Sequence, residues 1–182
     1  MENINLNVAE INKMVNTFSQ IRLQLSKYMS ERNFNMSNAQ IFAFLLYSPL
    51  CLAIASDKVV DEQELKLLEK ITKNVDVNKI VSVELFEILT AIPEPQNTIF
   101  NEEFNMRIDA ELLHIARNID QYEQDIIQSA KYFLSLSNDP TAATSIAQIY
   151  SKWFDFILLN SHSRQKEAEK LKIKEYKEKL GL

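Results

Sequence analysis

Four carboxylates fall within eight residues of the chain, at Asp57, Asp61, Glu62 and Glu64. Asp57 is expected in a turn, while Asp61 and Glu64 open the next helix, three residues apart and on neighbouring faces. Several carboxylates around one turn suit a hard cation such as Ca²⁺ or Mg²⁺, which takes oxygen ligands. The pattern has a second meaning. Asp61-x-x-Glu64 is also a capping box, and acids at a helix N-terminus are favoured by the helix dipole with no ion present. The Asp-x-Asp-x-Asp-Gly order of an EF-hand loop is absent. A metal-dependent hydrolase would use these carboxylates with a bound ion and an activated water. It would need them to face a concave pocket holding a further acid, base or electrostatic group. A binding module needs only an exposed apolar or charged surface.

Other constellations carry less. Glu111-Leu-Leu-His114 has the spacing used in di-iron bundles, but such sites need a second Glu-x-x-His pair and two more Glu. The other histidine, His162, follows Leu159 at that spacing. The single cysteine, Cys51, lies in an apolar run and is expected to be a buried, reduced thiol. Pairing it with His114 as nucleophile and base has no local motif behind it. Phosphate loops, zinc spacings and nucleophile elbows are absent. Aromatic residues gather at Tyr150, Trp153, Phe154 and Phe156, and earlier at Phe42, Phe44 and Tyr47. At helical spacing these are expected in the core, with part of the stretch from Trp153 to Leu159 lining a groove or a dimer contact.

The elements that must position these groups are helical. One Gly and four Pro in 182 residues argue against strand-and-turn architectures, which need glycine at positive φ. Ile4, Val8, Ile11, Val15, Phe18, Ile21, Leu25 and Tyr28 form one stripe, which predicts an amphipathic helix over about 4–29. Its stripe can pack on the domain or on a partner helix. Ser37 and Asn38 are cap candidates for a second helix, apolar all round from Ile41 to Ala55 and kinked at Pro49. Further helices are expected over about 61–73, 83–92 with Ser82 as cap, 102–117 and 122–136. Pro93-Glu-Pro95 ends the fourth, and 93–101 is a loop. Asp139-Pro140 starts a helix over about 140–159. Ser161-His162-Ser163 reads as a turn, with Ser163 capping a charged helix over about 163–180. The chain is expected to be one all-α domain of about seven to eight helices.

An apolar fraction of 46% supports a real core. The net charge of −5 conceals a basic end: residues 163–182 carry seven Lys or Arg and four Glu. Glu167, Lys170, Lys174 and Glu178 interleave at helical spacing, the pattern of a solvated, salt-bridged helix. An acidic chain without an aromatic and basic patch is a poor candidate for nucleic acid. The N-terminal MENINLNVAE lacks the features of a signal peptide, and the run from Ile41 to Ala55 is shorter than a transmembrane span. A cytoplasmic location is expected. The long first helix and the charged last helix are expected to serve as arms for a protein partner or a homo-oligomer.

Leu52 to Leu65, LAIASDKVVDEQEL, aligns without a gap on Leu113 to Ile126, LHIARNIDQYEQDI, with five identities in fourteen positions. Each stretch ends one apolar helix and begins an acidic one, which suggests an internal pseudo-repeat. The longer run LAIASDKVVDEQELKLLEKI resembles the signature of the TerB-like family, which includes the tellurite-resistance protein TerB and the N-terminal domain of the DjlA co-chaperone. In that family an apolar helix ends in Ala-x-Asp-Gly and a Glu follows in the next helix. Ala55, Asp57 and Glu64 match, and Ala116, Asn118 and Asp125 match more loosely. The resemblance implies an all-helical bundle built on a pseudo-repeated unit, with a core over about 38–160. Members are associated with metal or stress responses, and their acidic residues are suspected of binding divalent cations. Lys58 stands where the family usually has Gly, and Asn118 and Tyr122 replace acids in the second copy. The expectation is a non-enzymatic binding or scaffold module, with Asp57, Asp61 and Glu64 as candidate ligands for Ca²⁺ or Mg²⁺.

Overall fold

A computed structural model describes residues 7–136, 140–160 and 166–182, with the side chains of 140–145 and 166 outside the description. The described residues form helices and connecting turns, with no strand among them. In chain order the helices are α1 (Val8–Arg32), α2 (Asn38–Ile54), α3 (Glu62–Thr72), α4 (Val77–Ile80), α5 (Val83–Ala91), α6 (Asn101–Arg117), α7 (Ile119–Ser135), α8 (Pro140–Asn160) and α9 (Lys166–Leu180). The all-α architecture expected from the scarcity of glycine is the one observed. Ile4, Asp139 and the turn Ser161-His162-Ser163 lie outside the described residues.

Short polar side chains cap the starts of α1 to α5. Asn7 opens α1 through a capping box, accepting from the Glu10 N–H at 3.0 Å while Glu10 accepts from the Asn7 N–H at 2.7 Å. Asn33, at φ 47°, ends it in the left-handed conformation that Asn tolerates, and the Phe34 N–H turns back to the Met29 carbonyl at 2.9 Å. Ser37 and Gln40 form a second box at the start of α2. Asn38 is the first helical residue of α2 and has a different role. Fully buried, it accepts from Arg22 of α1 at 2.6 Å and donates to the carbonyls of Leu89 and Ile92 at the end of α5.

Helix α2 is the axis of the structure. Phe44, Leu45, Leu50, Leu52 and Ile54 are fully buried along it, because it packs against α6, α7, α8 and the α3–α5 segment. A helix apolar on every face is stable only when covered on every face. Helix α1 uses its stripe internally: Phe18, Ile21, Leu25 and Tyr28 are buried, and α1 lies along α7. The last helix likewise docks, burying Ile173, Tyr176 and Leu180 against α7, α8 and α2. Its charges pair partly within the helix, as Lys179 with Glu175, and partly outward, as Lys172 with Glu123 of α7 and Lys177 with Asp155 of α8.

Two boundaries differ from expectation for a physical reason. Val77–Ile80 is a single helical turn, started by Asp76 accepting from the Asn78 N–H, and four residues are too few to show a periodicity. Helix α7 begins at Ile119, not Tyr122, because one residue, Asn118, both ends α6 and starts α7. The aligned stretch earlier in the chain spends 55–61 on its turn.

Candidate functional site

The acidic corner is built by the end of α2 and the start of α3. Ala55 closes α2, and the Lys58 N–H donates to the Ala55 carbonyl at 2.9 Å with Lys58 at φ 67°. This reverses the chain, so that Asp57 faces its own turn and accepts from the Val59 N–H at 3.0 Å. Asp61 is the N-cap of α3, its Oδ1 accepting from the N–H groups of Gln63 at 2.8 Å and Glu64 at 2.9 Å. Glu64 Oε2 returns the bond, accepting from the Asp61 N–H at 2.9 Å. The box predicted from Asp61-x-x-Glu64 is therefore formed in full. Asp57, Asp61 and Glu64 each commit one carboxylate oxygen to the backbone. Among the described residues, no group of three or more His, Cys, Asp or Glu side chains is placed to hold a metal ion.

Glu64 is the chemically unusual member. It is only 6% exposed, and its Oε1 is buried with no hydrogen-bond partner among the described residues. Burial pushes its carboxyl up to about 7; the Asp61 N–H opposes this, and the charges of Asp61, Asp57 and Glu169 reinforce it. Glu169, itself buried, comes from α9, so the last helix adds an acid to a corner otherwise local in sequence.

The residues of the second aligned stretch are tied differently. Asn118 donates to the His114 carbonyl at 2.8 Å, Tyr122 donates to Glu31 at 3.1 Å, and Asp125 accepts from Gln24 at 2.6 Å. Two of these three contacts reach α1. The two corners meet at the surface, where Lys58 Nζ lies 2.9 Å from Asp120 Oδ2.

A larger polar cluster joins α1 to α6 and was not anticipated. Glu111, buried, accepts from the Tyr28 hydroxyl at 2.8 Å, from Arg32 Nε at 2.9 Å and from Arg107 at 3.3 Å. Burial would raise its carboxyl, but the bonds from Arg32, Tyr28 and Arg107 prevail and hold it below the ordinary carboxylate value. Arg107 also donates to the carbonyls of Arg32 and Asn33, closing the end of α1. The ladder Glu103-Arg107-Glu111 at i, i+4 spacing is the signal in sequence. Its partner on α1, 79 residues away along the chain, has no such signal.

Glu111 and His114 do not share a ligand-like arrangement. Glu111 faces α1, whereas the His114 ring lies beside Tyr122 and Asn118, with burial and then Arg32 lowering its pKa. Cys51 is wholly buried, and its thiol is pushed up to about 12 by that burial, the inert state expected for it.

Comparison with family models, with curated proteins and with solved structures finds no match to the chain. Among the described residues, no helix is long and apolar enough to cross a membrane.

Proposed function

We propose that this chain is a non-enzymatic, TerB-like helical module that pairs with a second copy of itself through the overhanging start of α1. One observation carries the reading. The α1 stripe is only partly used: Phe18 to Tyr28 bury against the bundle, while Val8 and Ile11 continue the same face at 74% and 42% exposure. An apolar stripe that outruns its own packing surface is a helix-in-groove or helix-pairing element. The fixed Asn7–Glu10 capping box keeps this overhang helical without a partner, so binding it carries little ordering cost.

The TerB-like part of the proposal rests on the first corner. Lys58 holds φ 67°, the conformation that the family's Gly would adopt freely at this place. A divalent cation would have to draw the second oxygens of Asp57, Asp61 and Glu64 together by tightening the 55–61 turn. Calorimetric titration with Ca²⁺ and Mg²⁺, repeated on Asp57→Asn/Glu64→Gln, reads that closure directly.

The binding role is tested by Val8→Glu/Ile11→Glu, which changes two exposed positions and leaves the buried stripe intact. Sedimentation equilibrium and chemical cross-linking are expected to show an association in the native chain that this variant loses. Identical behaviour of the two proteins in both assays overturns the proposal.

A further inference from the structure

A cavity of about 470 Å³ opens between α2, α4 and α8, away from both the acidic corner and the overhang of α1. Phe42, Leu46, Ile80, Ile146 and Ile149 supply its apolar wall, and Tyr47, Asn74, Lys79 and Trp153 its polar groups. Phe42 and Tyr47 of α2 meet Trp153 of α8 here. Each of those four polar residues can donate a hydrogen bond, and no carboxylate lines the cavity. In a chain of net charge −5, a cavity without an acid and with a lysine is locally complementary to an anion.

The Asn74 amide already donates to the Lys70 carbonyl at 2.9 Å, which leaves Lys79 as the main donor for an anion. The Lys79 side chain is 73% exposed, and its ion pair with Asp76 is long at 3.8 Å. That pair is made by Asp76 Oδ2, while the Asn78 N–H and the Asn105 amide both donate to Asp76 Oδ1, so the long Oδ2 contact is the only hold on the ammonium among the described residues. Burial raises the Tyr47 phenol, so it remains a protonated donor at neutral pH. The volume lies within the range of small-molecule sites, roughly 300–1,000 Å³, and is too small for a docked helix. The lining has the composition of such sites, a mostly apolar wall with few polar groups.

We infer that this cavity binds a small anionic amphiphile, a medium-chain or aromatic carboxylate, with its hydrocarbon against Phe42, Ile80 and Trp153 and its carboxylate at Lys79. The chemistry sets a ranking. A neutral molecule of the same chain keeps the apolar burial and loses the charge-assisted bond, and a cationic one meets repulsion from Lys79.

Trp153 is the single tryptophan of the chain and lines this cavity, so the chain's tryptophan fluorescence arises at its wall. The experiment titrates the full-length protein with octanoate, 1-octanol and octyltrimethylammonium, each below its micelle or solubility limit. A saturable change in Trp153 emission is expected with octanoate, at an affinity at least about fivefold above octanol and with the cation weakest. Lys79→Gln is expected to weaken octanoate about fivefold and to leave octanol unchanged. Ile80→Glu, at a half-buried wall position, is expected to abolish both, with circular dichroism and melting temperature confirming the fold. No saturable signal with octanoate overturns the inference. So does equal binding of octanoate and octanol with no response to Lys79→Gln, or a signal that survives Ile80→Glu.

Discussion

The Tyr150 hydroxyl of α8 donates to the Leu45 carbonyl of α2, the acceptor that Pro49 leaves without its helical partner. Proline has no N–H, so the carbonyl four residues earlier loses its bond, and in a fully buried helix no water replaces it. Tyr150 is itself wholly buried, and supplying that donor ties α8 to the centre of the bundle. Tyr150→Phe removes the donor at constant shape and is expected to cost about 1–3 kcal/mol in denaturant unfolding. In a Pro49→Ala background the helix recovers an N–H for Leu45, so the same change should cost at least about 1 kcal/mol less. Additive losses in the double variant would show that the hydroxyl does not stand in for the missing amide.

Glu64 sets a pH dependence of stability in the direction opposite to most carboxylates. Its folded carboxyl is raised from 4.5 to about 7, so the folded chain holds a proton that the unfolded chain has released. Its contribution is complete below about 4.5, declines through the interval and is gone above about 7. Glu64→Gln keeps an acceptor for the Asp61 N–H and removes the titration. This variant is expected to match the native chain at pH 4.5 and to be more stable at pH 8 by on the order of 2 kcal/mol. Thermal melts across that range decide it, and parallel curves for the two proteins would contradict it.

Glu111 acts on the other side of the scale. Its folded carboxyl lies below the ordinary value, so its stabilisation is present above about 4.5 and is lost as pH falls through the lowered value. Removing it strands the buried Tyr28 hydroxyl and leaves Arg32 and Arg107 facing each other. Both arginines are about one-third exposed, so water recovers part of the loss. Glu111→Ala is expected to cost about 2–4 kcal/mol, and Glu111→Gln roughly half of that because it keeps an acceptor for Tyr28. Hydrogen exchange should then show the last turn of α1 opening first, since Arg107 also holds the Arg32 and Asn33 carbonyls.

What could be read from the chain divides along the range of the interactions. The stripe from Val8 to Tyr28, the apolar run of α2 and the Ser37, Asp61 and Ser82 caps are local patterns, and each appears where its spacing placed it. The capping box at Asp61 and Glu64 is likewise local, and so was legible together with its alternative as a cation site. The raised carboxyl of Glu64 was not, because it comes first from burial in the assembled bundle and is reinforced by the charge of Glu169, about a hundred positions away along the chain. The Glu111 cluster and the Tyr150–Leu45 bond fail to announce themselves for the same reason: each joins helices far apart in sequence. The alignment of the two fourteen-residue stretches misled on one point. It implied a turn before Tyr122, whereas Asn118 alone separates α6 from α7.

Lys58 offers the sharpest local test of the first corner. At φ 67° an L-residue pays roughly 1–2 kcal/mol that glycine does not, though glycine loses more backbone entropy on folding. Lys58→Gly also removes an ion pair with Asp120 whose partners are both exposed, a contribution of about 0–1 kcal/mol. These terms nearly offset, so Lys58→Gly is expected to change stability by less than about 0.5 kcal/mol. Lys58→Ala keeps the strain and loses the pair, and Lys58→Val adds a β-branched side chain that resists positive φ. The expected order in denaturant unfolding is Gly at or above Lys, then Ala, then Val, the last lower by more than about 1 kcal/mol. A valine variant as stable as the glycine one would mean that the 55–61 turn relaxes to another conformation. The corner would then be soft enough for the closure that cation binding requires.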